Sequence, residues 1–144
     1  RFDALREPSL VGELRQGGGA STRADGHLVA GFNGRFSAMT QRAKQVLASG
    51  AGPITVNYRI SAGTLPQAHW YKDRRQGGRI LGEVCHFIDL ASCLVDHPVS
   101  GVFAAGSGRG EGGLEEDVTI LLAYTDGSAA TSTYTTAAHA STPK

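Results

Sequence analysis

Three side chains capable of acid–base chemistry recur at intervals of three residues in the middle of the sequence: Glu83, His86 and Asp89. Residues three apart on a helix are neighbours, so an imidazole would lie between two carboxylates along one edge of a helix. An imidazole titrates near neutral pH, and flanking carboxylates can orient it and raise its basicity. The pattern predicts an acid–base site, and it equally fits a polar helix edge that faces water. The three side chains could also ligate a metal, but the sequence offers no further ligand.

Aromatic, charged and hydrogen-bonding side chains are concentrated just before this helix, between Trp70 and Arg75. They belong to a long irregular connection, residues 61–76, and connections of that length are often functional. His69 and Trp70 could flank a small molecule. Alternatively, Trp70 anchors the connection to the core and His69 lies on the surface. The concentration of such side chains beside the helix favours a functional site.

The apolar pattern predicts the elements that position these residues. After Gly77 and Gly78, apolar residues recur at steps of three and four, as they do along one face of a helix. That face consists of Ile80, Leu81, Val84, Phe87, Ile88 and Leu94. Strands are predicted at residues 54–60, 99–105, 117–124 and 129–136, with an Asp-Gly hairpin turn before the last. These elements predict an α+β fold, with an open, mostly antiparallel β-sheet and helices packed on one face. The open face is expected to bind a partner subunit.

The N-terminal part of the chain predicts a smaller unit. Short strands at residues 2–5 and 27–33 flank a helix that begins near Pro8, and such a strand–helix–strand unit implies parallel pairing with a right-handed crossover. A second helix is predicted from its N-cap residue Ser37 to Gly50. Its inner face would carry Met39, Ala43, Val46 and Leu47. The glycine-rich stretch that follows divides the chain into residues 1–50 and 51–144.

Composition excludes several classes of function. Fourteen basic and 13 acidic residues give a formal charge of +1, which argues against an electrostatic grip on nucleic acid. No apolar run approaches membrane-spanning length, and no signal-peptide pattern precedes the first strand. Cys85 and Cys93 would lie about 12 Å apart on one helix, too far for a disulfide, and free thiols fit a reducing cytoplasm. The chain has no initiator Met and could be a fragment.

Residues 108–113 match the dinucleotide-binding pattern GxGxxG. The mechanism of that pattern needs a helix to follow, because the helix N-terminus binds the pyrophosphate. Here a predicted strand follows at residues 117–124. We therefore interpret the match as a flexible loop.

Residues 31–37, Gly-Phe-Asn-Gly-Arg-Phe-Ser, and residues 77–90 resemble two segments of the Gfo/Idh/MocA oxidoreductases. The first is similar to the family's Gly-Phe-Asn-Arg-Arg-Phe run at the end of its Rossmann domain. The second is similar to its Gly-Gly-Gly…Asp-x-Gly-x-His-x-x-Asp helix. Residues 62–70 and the Thr-rich strand that ends near Tyr134 also fit. The resemblance implies that residues 1–50 retain the last strand–helix–strand unit of a Rossmann domain.

On the helix, the resemblance implies that His86 acts as an acid–base or holds a substrate hydroxyl near the nicotinamide. Asp89 matches the family's Asp one helical turn further on. The family's Asp four residues before the His is replaced by Gly82, so an Asp–His partnership would require Glu83 as a substitute.

Near the N-terminus, the resemblance places Arg6-Glu7-Pro8 on the family's Glu-Lys-Pro motif, so that Glu7 replaces its Lys. The second Arg of the Asn-Arg-Arg-Phe run is retained as Arg35, which implies a cofactor-binding role for that residue. The first Arg is replaced by Gly34.

The resemblance implies the substrate-binding and oligomerisation domain of an NAD(P)-dependent oxidoreductase that acts on a sugar-like or cyclitol-like polyol. His86 would move or hold the hydroxyl proton, with Glu83 and Asp89 orienting it. The substrate side would be lined by Lys72, Arg75, Trp70 and His69. NAD or NADP is implied for the intact enzyme; the chain alone is expected to bind neither tightly and to be inactive. The alternative is a non-catalytic assembly module descended from such an enzyme.

Overall fold

The computed structural model describes residues 31–107 and 114–137. They form an α+β fold, as predicted, in which four strands make one sheet and helices cover one of its faces. The helices are α1 (Ala38–Ala48) and α2 (Cys85–Val95), and a π-helical turn (Ile80–Val84) leads directly into α2. The strands are β1 (Thr55–Ser61), β2 (Val99–Gly106), β3 (Val118–Tyr124) and β4 (Ala129–Thr135). Short 3₁₀ turns occupy Asn33–Phe36, Trp70–Lys72 and Arg74–Gln76.

The sheet has the strand order β1-β4-β3-β2. β3 and β4 form the predicted Asp-Gly hairpin, in which Gly127 adopts a φ of 89° and its N–H donates to the Tyr124 carbonyl. β2 pairs antiparallel with β3, whereas β1 pairs parallel with β4, with Thr55 opposite Ala129. Two of the three pairings are therefore antiparallel, as the sequence predicted.

The hydrophobic core lies between the sheet and α2. Residues of β3 and β4 alternate between a buried face and a more exposed one. The inward-facing residues of β3 are Val118, Ile120, Leu122 and Tyr124. Val84, Ala91 and Val95 of the helix pack against them. α1 in turn packs on α2, so the other face of the sheet has no covering helix within the described ranges.

The central helix begins as a π-helical turn and not as a regular α-helix. Gly77 and Gly78, with φ of 82° and 67°, supply the left-handed backbone that turns the chain into it. The helix ends at Asp96, which adopts a φ of 61°, and His97-Pro98 then leads into β2. Its position was predicted, but the widened first turn was not.

Helix α1 begins where it was predicted to begin, with the Ser37 hydroxyl accepting from the Thr40 N–H. The predicted inner face is wrong at Met39 and Val46, which are 84% and 57% exposed, whereas Ala43 and Leu47 are partly buried. Thr40 is the buried residue, and its hydroxyl donates to the Gly34 carbonyl at 2.8 Å. That bond fixes Thr40 inward and turns Met39 outward.

The predicted strand–helix–strand unit of residues 2–33 falls almost wholly outside the described residues, as does the GxGxxG segment. Asn33, its last residue, begins a 3₁₀ turn. The border at residue 50 stays a prediction. Within the described ranges, every helix is too short or too polar to cross a lipid bilayer.

Candidate functional site

His86 lies in the first turn of α2, half-buried, on the side of the helix that faces the segment before α1. The ring of Phe32 meets the imidazole edge to face, with centroids 5.2 Å apart and planes at 88°. Neither ring nitrogen has a hydrogen-bond partner among the described residues. Among the described residues, the recorded contact of the ring is its packing against Phe32, which leaves both nitrogens available to a ligand in that part of the chain.

Asp89, predicted to serve His86, is bound by Arg35. The Arg35 Nε donates to Asp89 Oδ2 at 2.9 Å, and Nη2 donates to Oδ1. The carboxylate is 10% exposed and the guanidinium 41%. The hydrogen bond to Asp89 and the charge of its carboxylate raise the pKa of Arg35. This two-point contact joins the Asn33–Phe36 turn to α2. It engages the guanidinium of Arg35, the residue predicted to bind the cofactor.

Glu83, the other predicted partner of His86, is bound by Tyr134 of β4. The Tyr134 hydroxyl donates to Glu83 Oε2 at 2.5 Å, and Arg79 Nη1 lies 3.9 Å from the same oxygen. Arg79 Nη1 also donates to the Tyr134 oxygen at 2.7 Å, and Nη2 donates to the Gly63 carbonyl at 2.8 Å. Burial, with the hydrogen bond to Glu83, raises the pKa of Tyr134, which therefore remains a donor far above neutral pH.

The π-helical turn accounts for the position of Glu83, whereas Asp89, in the regular part of the helix, binds Arg35 instead of His86. A π turn places one more residue in the turn than an α-helix does. Glu83 lies inside that turn, whereas His86 and Asp89 lie beyond it in α2. Glu83 is therefore rotated towards the sheet, and neither carboxylate contacts His86 in the described part of the chain.

Tyr71 occupies the space beside Gly82. A side chain at Gly82 would overlap the Tyr71 ring, and the Tyr71 hydroxyl donates to the Gly82 carbonyl at 2.8 Å. The resemblance placed an Asp of the family's motif at this position. Here the absence of a side chain lets an aromatic ring from the long connection dock on the π-helical turn.

The predicted substrate-binding residues separate into two groups. His69 and Trp70 stack with ring centroids 6.0 Å apart and planes at 20°, and the Tyr71 ring lies 4.1 Å from that of Trp70. Lys72 forms an ion pair with Glu116, and Arg75 lies exposed on the surface. The aromatic group is held beside the start of the central helix through Tyr71.

The described residues do not build a site for a dinucleotide or a metal. Among them, no three His, Cys, Asp or Glu side chains converge as metal ligands do. The segment after the GxGxxG match leads into strand β3, as predicted, so no helix N-terminus follows to bind a pyrophosphate.

Sequence reasoning missed Phe32, Arg79 and Tyr134 as parts of these contacts. The alternation of β4 places Tyr134 on the same inward face as Ala130, so its burial could have been predicted. An arginine beside two glycines is normally exposed, and nothing in the sequence indicates that Arg79 is 2% exposed.

The family model of the GFO/IDH/MocA C-terminal domain matches residues 40–144, more than half of the chain. No curated protein matched the chain.

Solved structures share the fold. The aldose-aldose oxidoreductase of Caulobacter crescentus, complexed with glycerol, matches with a TM-score of 0.69 at 18% identity, over 91% of this chain and 42% of its own. The WlbA dehydrogenase of Bordetella pertussis, in complex with NADH and UDP-GlcNAcA, matches with a TM-score of 0.66 at 21% identity, over 85% of this chain and 39% of its own. An NAD-binding protein from Listeria innocua matches with a TM-score of 0.67 at 20% identity, over 87% of this chain and 38% of its own.

This chain spans about two fifths of the length of those three structures. The family match and the shared fold confirm the resemblance found in the sequence: the chain belongs to the GFO/IDH/MocA family and carries its C-terminal domain.

Proposed function

We propose that this chain is the substrate-binding and oligomerising domain of an NAD(P)-dependent oxidoreductase that acts on a sugar-like or cyclitol-like polyol. The observation that carries the proposal is His86, a half-buried imidazole without a hydrogen-bond partner in the described part of the chain, on the helix that also anchors an aromatic cluster. Two matched structures were solved with glycerol and with NADH plus UDP-GlcNAcA.

His86 would move the proton of the substrate. Oxidation of an alcohol carbon removes a hydride from carbon and a proton from the hydroxyl, and the nicotinamide supplies the hydride chemistry when bound. An imidazole with a free nitrogen suits the proton transfer at neutral pH. Asp89, through Arg35, would fix the segment that carries Phe32 and thereby the orientation of the His86 ring.

Trp70 and His69 would contact the carbon face of the polyol. A hydroxyl-rich ligand needs convergent polar groups together with an apolar surface, and aromatic rings provide the latter. Lys72, which is paired with Glu116, and the exposed Arg75 would interact with hydroxyls or an anionic substituent. Neither Cys85 nor Cys93 forms a disulfide in the described part of the chain, and reduced cysteines would fit a cytoplasmic location.

The open sheet face would join two copies of the chain. Phe103 and Leu121 lie opposite each other in neighbouring strands of that face and are 66% and 40% exposed. Thr119 and Thr133 continue the face towards β1. A face of mixed threonine and apolar composition is suited to packing against a symmetry-related copy.

Ligand-observed NMR on the full chain tests the proposal. Myo-inositol and glucose should bind weakly, and His86→Gln and Trp70→Ala should abolish the signal while leaving the melting temperature near the wild-type value. Met39→Gln, at an exposed position of α1, is the matched control and should bind as the wild type does. Absence of polyol binding by the wild type would refute the proposal. Calorimetric titration of the same chain with NADH should give no heat, and micromolar binding would contradict the assignment of the cofactor to another part of the enzyme.

A non-catalytic assembly module is the second candidate. One observation favours it: neither Glu83 nor Asp89 contacts His86, and Tyr71 fills the space beside Gly82. Such a module would sediment as a dimer and bind no polyol. A monomer in sedimentation would count against oligomerisation in either reading.

A further inference from the structure

Arg79 is a buried arginine, 2% exposed, at the start of the central helix. Its two terminal nitrogens donate to Tyr134 and to the Gly63 carbonyl, while its buried Nε has no partner among the described residues. Burying a guanidinium is costly unless it is paired. The charge that it faces is Glu83, one turn along the same helix.

The two oxygens of Glu83 have different surroundings. Oε2 points inward, accepts from the Tyr134 hydroxyl and lies near Arg79. Oε1 has no partner in the described ranges and is not among the buried atoms, and the side chain as a whole is 37% exposed. Within the described part of the chain, the outer oxygen of a carboxylate fixed through its inner oxygen is therefore open to a ligand.

Glu83 also lies close to the other parts of the candidate site. It follows Gly82, on whose carbonyl Tyr71 and hence the stacked Trp70 are anchored. It precedes His86 by three residues on one continuous helix. The carboxylate, the imidazole and the aromatic cluster therefore border the first two turns of the same helix.

We propose, on the basis of the proposed function, that Glu83 Oε1 accepts a hydrogen bond from a second hydroxyl of the polyol. Tyr134 and Arg79 are positioning residues that hold the carboxylate in the required orientation. A carboxylate and an imidazole on successive turns select a ligand with two separate hydroxyls, one bound by Glu83 and one by His86. The site would then prefer polyols over simple alcohols.

The test uses the full chain, with glucose, myo-inositol and their monodeoxy analogues as probes in ligand-observed NMR. Glu83→Gln keeps an oxygen that can accept from Tyr134 and presents an amide to the ligand in place of the carboxylate oxygen. It should weaken polyol binding about tenfold, the effect of losing one hydrogen bond to a charged group. Tyr134→Phe should weaken binding several-fold, and the double variant should bind no more weakly than Glu83→Gln, because both changes act through one carboxylate.

Ser132→Ala is the matched control. Ser132 is an inward-facing, buried residue of the same strand as Tyr134, and its hydroxyl has no partner in the described part of the chain. Its removal should leave the affinity unchanged. One deoxy analogue lacks the hydroxyl that Glu83 binds. The wild type should bind this analogue as weakly as Glu83→Gln binds the parent polyol. Glu83→Gln should bind the analogue and the parent polyol with equal affinity.

The outcomes separate the inference from the function on which it rests. If the wild type binds no polyol, the proposed function fails and the inference fails with it. If the wild type binds but Glu83→Gln binds equally well, or no single deoxy analogue is weakened, the function stands and the inference is overturned. The deoxy series needs only the wild type, so the inference remains falsifiable even if a variant does not fold.

Discussion

Two arginine–carboxylate pairs join the central helix to different neighbours, and they differ in which partner is buried. On the sheet side, Arg79 is 2% exposed and shares Glu83 with the Tyr134 hydroxyl. On the outer side, Arg35 is 41% exposed and binds Asp89 through two nitrogens. The inner pair joins the helix to β4, and the outer pair joins it to the turn before α1.

The comparison shows that the same kind of ion pair can have two physical roles, according to whether the guanidinium or the carboxylate is the buried partner. A buried guanidinium that loses its partners leaves an uncompensated charge or polar group in a medium of low dielectric constant. In the outer pair the exposed partner is the guanidinium, 41% exposed against 10% for the Asp89 carboxylate, so water solvates the positive charge and salt screens it. The inner pair should determine whether the helix start is ordered, and the outer pair should adjust the position of Phe32 and His86.

The largest expected effect is that of removing the buried guanidinium. Arg79→Ala should lower the free energy of unfolding by about 3 kcal/mol, because Tyr134 and the Gly63 carbonyl lose their donor, Glu83 loses a nearby positive charge and a cavity is left. Urea unfolding at neutral pH measures it. The exposed Arg75→Ala should change stability by less than about 0.5 kcal/mol. If Arg79→Ala and Arg75→Ala lost equal free energy of unfolding, the burial of Arg79 would not be the source of its contribution to stability.

An intermediate effect is expected from alkaline pH. Because the folded protein holds the pKa of Tyr134 above its ordinary value, the unfolded chain loses this proton first as the pH rises. The stability from Tyr134 is fully present below about pH 10 and declines above it, by at most about 1.4 kcal/mol per pH unit. Tyr134→Phe should lack this decline, and the difference between the two unfolding profiles isolates Tyr134 from the other tyrosines. Parallel profiles up to pH 11 would contradict the assigned hydrogen bond.

The smallest effect is expected at the outer pair. Asp89→Asn should destabilise the fold less than Arg79→Ala does, and the loss should be smaller in about 1 M salt, because salt screens the charge of the exposed Arg35 guanidinium. Arg35→Met should reproduce that salt dependence, since the two variants break the same contact. Thermal melts at low and high salt provide the measurement. A loss of stability that does not depend on salt would mean that the Arg35–Asp89 pair is shielded from solvent ions, as the buried Arg79 is.

Much of the fold could be predicted because its signals are local. The alternation of β1, the Asp-Gly turn and the Ser37 cap each depend on residues within a few positions of one another. The site was harder to predict because its contacts join distant segments. Tyr134 and Glu83 are 51 residues apart, and Arg35 and Asp89 are 54 apart.

The π-helical turn is the clearest case of information that the sequence pattern does not contain. The spacing of Glu83, His86 and Asp89 predicted one shared edge under a constant α-helical period. The apolar residues on either side remain compatible with that period, so nothing in the pattern reveals the additional residue in the turn. The Tyr71 ring beside Gly82 depends on a contact across a loop and is equally absent from any local pattern.

The parallel pairing of β1 with β4 determines the order in which the sheet can be completed. β1 is the first of the four strands along the chain, yet its neighbour in the sheet is the last, with Val56 opposite Ala130. During synthesis on the ribosome, β1 must wait for the β3–β4 hairpin before it can form its ladder of hydrogen bonds. Contacts so distant in sequence slow folding, because the intervening chain must first be closed into a loop. A nascent chain that stops before Ala129 would therefore leave β1 as an unpaired strand, available to chaperones and to aggregation.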